Sequence, residues 1–195
     1  MFRTIFVAMS LLFFAGIATA GIGPGDNVIS FNIGYATGKA AVSGATVDGP
    51  VFAFNYEGMA WEQPVAFLFS IGWSQVSKEE EDSTSERITR QIETLPIYIG
   101  AKGYLGQGAI QGHLGAALGV FFSTVEIAVT QTGQDYSSWG TSGWGLGVPL
   151  GLTWLIGDTV FINGEYFLNW MWSNDAFDND ILNTFLLGVG FRWGD

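Results

Sequence analysis

Residues 64–74 read PVAFLFSIGWS and alternate in size along the chain. Val65, Phe67, Phe69, Ile71 and Trp73 fall on one parity; Ala66, Leu68, Ser70, Gly72 and Ser74 fall on the other. Successive side chains of a strand point to opposite faces, so one face is a row of large apolar groups. The second face of a soluble, half-buried strand carries charge, and this one carries none. Large apolar groups outside with small or weakly polar groups inside is the pattern of a transmembrane β-strand.

The pattern recurs to give eight segments. Residues 28–37 set Ile29, Phe31, Ile33 and Tyr35 against Ser30, Asn32, Gly34 and Ala36. Residues 50–58 set Phe52, Phe54 and Tyr56 outward and Ala53, Asn55 and Glu57 inward. After the segment at 64–74, the charge run 78–86 has no apolar residue and is solvated loop. The fourth segment, 88–104, changes phase: Ile88 and Ile92 share one parity, Leu95, Ile97 and Ile99 the other. With Pro96 just beyond, this predicts a bulge near residues 93–95. The fifth segment turns Ile110, Leu114, Leu118, Val120 and Phe122 outward, and Gln111 and His113 inward. A second phase change follows, and Val125, Ile127 and Val129 carry the alternation past the roughly 9–11 residues that span a membrane. This predicts that the fourth, fifth and sixth strands project beyond the bilayer. The sixth segment (144–154) is glycine-rich on its inner face and contains Pro149. The seventh (160–172) places Asn163, Glu165 and Asn169 inside, and the eighth (184–193) places Arg192 inside.

Connections alternate long and short, and an even strand number puts both termini in the periplasm. Trp73, Trp144, Trp170 and Trp172 fall at the loop ends, and Tyr56, Tyr104, Trp154 and Trp193 at the turn ends, as two interfacial girdles require. No sheet edge survives in lipid, so the expected fold is all-β, an eight-stranded antiparallel up-and-down transmembrane β-barrel.

Composition agrees. Charged residues make up 13% of the chain, about half the ~25% usual for soluble domains. Residues 1–20 combine Arg3, an apolar run over 5–17 and Ala18-Thr19-Ala20, the signature of a cleaved signal peptide rather than of an anchor; residues 21–195 form the barrel domain. Losing Arg3 takes the formal charge from −11 to −12, with no basic stripe for nucleic acid. There is no cysteine, which excludes disulfides and thiol chemistry. The GxxxG match Gly115–Gly119 lies among too many glycines and polar residues for a spanning helix.

An eight-stranded lumen is just wide enough to be filled by side chains. Glu57, Glu165 and Arg192 face inward, and the expected register sets Glu165 about two residues from the position opposite Arg192, a diagonal of roughly 7–8 Å. The predicted lumen network joins these three with Asn55, Asn163, His113 and Tyr98, the last a cross-strand neighbour of His113. His113, the one histidine, reads as a hydrogen-bonded lumen residue rather than a general base. The acidic loops lack EF-hand spacing, and Gly143, Gly145 and Gly147 precede no helix, so no metal, phosphate or cofactor site is expected.

With residues 95–100 (LPIYIG), 115–120 (GAALGV) and 188–193 (GVGFRW) as landmarks, the mature chain resembles the small eight-stranded outer-membrane barrels of OmpA/OmpX type, the outer-membrane β-barrel domain family. The resemblance implies residence in the cell outer membrane and contact with its lipids, with lipopolysaccharide and with the insertion machinery. It further implies a monomer without cofactor or enzymatic activity, serving envelope structure or surface interaction through its loops. The alternatives are a narrow porin-like conduit for small or hydrophobic solutes and, more remotely, a lipid A-modifying enzyme.

Overall fold

A computed structural model describes residues 21–40, 46–60, 64–81, 87–106, 108–130, 135–172 and 175–194. The expected signal peptide lies outside the described residues. Eight strands follow in order: β1 (Asn27–Ala40), β2 (Thr46–Met59), β3 (Val65–Glu81), β4 (Arg87–Leu105), β5 (Ile110–Thr130), β6 (Asp135–Ile156), β7 (Val160–Trp172) and β8 (Phe177–Trp193). Each pairs antiparallel with its sequence neighbours, and β1 pairs with β8 to close the barrel. The outward parity is the expected one: Phe31, Ile33, Leu118, Leu152 and Leu187 are between 59% and 68% exposed, a surface stable only against lipid.

Three prolines leave their marks on the ladder. Pairing skips from Ile71↔Ile97 to Ser74↔Thr94 at Pro96, from Leu114↔Leu150 to Ala117↔Gly147 at Pro149, and from Asp48↔Ser77 to Val51↔Ser74 at Pro50. Proline has no N–H to donate, and neighbouring pairs absorb each gap.

The expected bulge near 93–95 is absent. β4 and β5 stay in one register from Arg87↔Thr130 to Leu105↔Gly112. The change of phase is chemical rather than geometric: Ile92 and Val125 keep their inward parity and are buried with Val76 in an apolar layer of the upper lumen, above the polar layer of Ser74, Thr94 and Ser123. β4, β5 and β6 are the longest strands, at 19, 21 and 22 residues, against 14, 14 and 13 for β1, β2 and β7 and 17 for β8; β3, also 17 residues, pairs with β4 alone beyond Ser77 among the described residues. Pairing of β6 with β7 starts at Trp144↔Trp172, so, among the described residues, positions 135–143 of β6 are laddered to β5 alone.

Trp144 and Trp172 stand side by side where the pairing of β6 with β7 begins, their ring centroids 4.8 Å apart. Tyr104 is a correction to the girdle. It shares the inward parity of Tyr98 and Lys102, is 4% exposed, and points into the lumen.

Candidate functional site

Viewed from the periplasmic end, the inward rows of β1 and β2 pass from apolar through polar to apolar. The lowest layer is Ile22, Val28, Met59, Ala66, Tyr104, Leu155 and Phe161. Above it lies the charged centre of the barrel. Lys102 Nζ is 2.7 Å from Glu57 Oε1 and 2.8 Å from Glu165 Oε2, so one ammonium from β4 bridges acids from β2 and β7. The Tyr104 hydroxyl donates to the other Glu57 oxygen at 2.6 Å. His113 Nδ1 is 3.2 Å from Thr153 Oγ1, and its Nε2 is 3.0 Å from Glu165 Oε2, within ion-pair distance though off hydrogen-bond alignment. The side chains of Lys102, Glu57, Glu165 and His113 are at most 3% exposed. Buried charges persist only when paired and hydrogen-bonded; Lys102 is bonded to both acids, while Glu165 Oε1 and His113 Nε2 have no hydrogen-bond partner among the described residues.

Asparagines continue the polar layer. Asn163 Nδ2 donates to Asn32 Oδ1 at 2.9 Å, with Gly188 of β8 between them. A Cβ at Gly188 would lie 1.9 Å from Asn32 Oδ1, so this contact requires glycine. Asn55 sits opposite Ser30 and is equally buried.

Higher up, the Tyr98 hydroxyl donates to Asn169 Oδ1, and its ring packs on Phe121 and Phe167 with centroids 5.5 and 4.8 Å away. Above and around them Val51, Val76, Ile92, Val125, Met171 and Leu182 fill the tube. A cavity of about 30 Å³ remains in this part of the lumen, lined by Ser70, Ser74, Tyr98, Asn169 and Thr184 among others.

The structure therefore brings Glu57, Glu165 and His113 together and sets Asn55 and Asn163 beside them, but it moves two expected members elsewhere. Tyr98 is opposite Gly119; the residue opposite His113 is Tyr104. Arg192 is opposite Thr159, to whose carbonyl its backbone N–H donates, whereas Glu165 is opposite Leu186, six positions further along β8. The guanidinium stays at the periplasmic mouth, where it donates to Gly21 O (2.7 Å) and Asp158 O (3.0 Å) and lies 3.6 Å from Asp26. The cation between the two acids is Lys102. Its signal was present in the sequence: a lysine inside a spanning segment, on the parity of Tyr98 and Tyr104.

No family model and no curated protein sequence matches the chain. Solved structures do. The outer-membrane protein OprG of Pseudomonas aeruginosa superposes with a TM-score of 0.63 at 13% identity, over 90% of this chain and 99% of that one. The chain has the fold of the small outer-membrane β-barrels. Two further structures share the barrel at a TM-score of 0.54. Ail, the attachment invasion locus protein of Yersinia pestis, in complex with the heparin analogue sucrose octasulfate, is 17% identical over 87% of this chain and 99% of its own. Neisserial surface protein A is 16% identical over 88% and 99%. At these identities the likeness is one of fold.

Proposed function

We propose that this barrel is a non-conducting, non-enzymatic surface protein whose working part is the sheet that β3 to β6 raise above the outer leaflet. The observation that carries this reading is the division of the molecule. The lumen is filled from Ile22 to Leu182, whereas β5 and β6 extend to about twice a membrane-spanning length of ~9–11 residues. A filled tube disfavours the conduit, and a His113 sealed among Glu165, Thr153 and Tyr104 has no face open to a lipid substrate.

Residues 135–143 of β6 leave one edge unpaired by β7, and strand addition to such an edge is a common mode of protein contact. Residues 78–93 and 126–135 together hold eight acids and three bases. A partner with basic character fits this charge, and a sulfated glycan of the kind seen with Ail does not.

Deleting residues 126–134 tests the reading. The variant is expected to keep its heat-modifiable mobility in SDS gels and lose the binding of whole cells to protein-coated surfaces. Undiminished binding would take the interaction role away from the extension, and discrete conductance steps of the intact protein in planar bilayers would replace this reading with the conduit.

A further inference from the structure

The residues that precede β1 are folded into the periplasmic mouth rather than trailing from it. Ile22 is 2% exposed, its side chain within the layer of Val28, Met59, Ala66, Tyr104, Leu155 and Phe161. The Gln111 side chain treats Ile22 as a strand neighbour would. Its Oε1 accepts from the Ile22 N–H at 2.7 Å, and its Nε2 donates to the Ile22 carbonyl at 3.1 Å and to Gly106 O at 3.2 Å. Arg192 holds the carbonyl of Gly21, and Asp26 Oδ2 accepts from the Gly23 N–H at 2.8 Å. A turn closed by Asp26 N–H to Gly23 O at 3.1 Å, with Gly25 at φ 86°, then delivers the chain to β1.

We propose that the periplasmic mouth is a binding site for an extended peptide, occupied here by the chain's own residues 21–26, which act as a removable stopper beneath the Lys102 cluster. The site has the parts of a peptide groove: an apolar pocket for one side chain, a paired donor and acceptor for the backbone on either side of it, and a cation for the preceding carbonyl. It also has a selection rule. A Cβ at position 21 would lie 2.4 Å from Gln111 Nε2, so a larger residue before the apolar anchor would push the Gln111 side chain off its bonds to Ile22, and glycine is favoured there. Glycine followed by isoleucine is what the chain supplies. Displacing the segment exposes the lower layer, and behind it Lys102, Glu57 and Glu165, to the periplasm, while the apolar layer above still closes the tube.

The absence of cysteine makes this measurable, because Ala66→Cys places a single thiol in the layer under Ile22. In nanodiscs a membrane-impermeant maleimide is expected to label this protein slowly. Adding Ile22→Asp is expected to raise the rate by about tenfold or more, and Gln111→Ala, which removes only the backbone bonds, by about threefold, as for local opening of a weakly held segment. Ile22→Ala serves the same purpose if the aspartate prevents heat-modifiable folding. A tethered segment acts at an effective concentration on the order of millimolar. The free peptide Gly-Ile-Gly-Pro-Gly-Asp at that concentration is therefore expected to restore protection to the Ile22→Asp protein, and a scrambled peptide is not.

Unchanged labelling in folded Ile22 and Gln111 variants would overturn the stopper, and failure of the peptide to protect would overturn the binding site. Conductance is read separately, so the result stands or falls independently of the filled-lumen reading.

Discussion

The two halves of the lumen solve one problem with opposite chemistry. Near the periplasm the tube is filled by Lys102, Glu57, Glu165 and His113, held by Tyr104 and Thr153; towards the outside it is filled by Tyr98, Phe121, Phe167, Met171 and Ile92. The polar half is stable only as a complete set, since each ion was taken out of water and is repaid by its partners alone. The apolar half is a sum of contacts, each removable at its own cost. A barrel whose outer face must be apolar has to keep its polar groups inside, and the lower half shows how they are gathered and neutralised. The upper half shows that nothing compels the lumen to be polar where water is not wanted.

Removing the central cation breaks the comparison most sharply. Lys102→Leu leaves two buried carboxylates facing each other, and a loss of about 3–5 kcal/mol is expected. Urea unfolding in a fixed lipid, followed by tryptophan fluorescence, measures it. Combining Lys102→Leu with Glu57→Gln and Glu165→Gln is expected to recover much of the loss, because the charges leave together. Simple additivity of the three substitutions would show that the cluster is not a unit.

Phe121→Ala makes the matching change in the other half. Phe121 is fully buried, with its ring against Tyr98, and its truncation is expected to cost about 3 kcal/mol. No partner substitution is expected to rescue it, since no charge is left behind; only refilling the volume, as in Phe121→Leu, is expected to do so. Rescue of Phe121→Ala by a change in the charged cluster would mean that the two halves are coupled rather than stacked.

How legible this was in the sequence follows from the same contrast. Strand number, closure and outward faces depend on a period of two that lipid enforces along every strand, so Phe31, Leu118 and Leu187 were readable at once. The interior obeys no such rule. By period alone Ile92 and Val125 read as a slip in register, because a large apolar residue on a spanning strand is expected to face lipid; they face the lumen instead. The same expectation puts Tyr104 in the girdle. Pattern alone does not fix hairpin register: an even shift of a few residues in β7–β8 preserves the parity of Arg192 while moving its side chain from the cluster to the mouth. Residues 21–26 have no periodicity, and nothing in Gly-Ile-Gly-Pro announces that its isoleucine seals a barrel.

Arg192→Leu sharpens the comparison at its weak end. The guanidinium is charged and bonded, like Lys102, but it sits at the rim with its side chain 13% exposed, 3.6 Å from an equally accessible Asp26. Water can replace what it loses: the carbonyls of Gly21 and Asp158 and the Asp26 carboxylate all stay within reach of solvent once the arginine is gone. A hydrogen-bonded ion pair in such a place contributes about 1 kcal/mol. The same urea titration is therefore expected to rank Lys102→Leu at or below Phe121→Ala in stability if the cluster is a sealed unit, and to leave Arg192→Leu close to the parent. An Arg192→Leu protein as unstable as Lys102→Leu would mean that the mouth, rather than the middle of the lumen, carries the electrostatic burden of the fold.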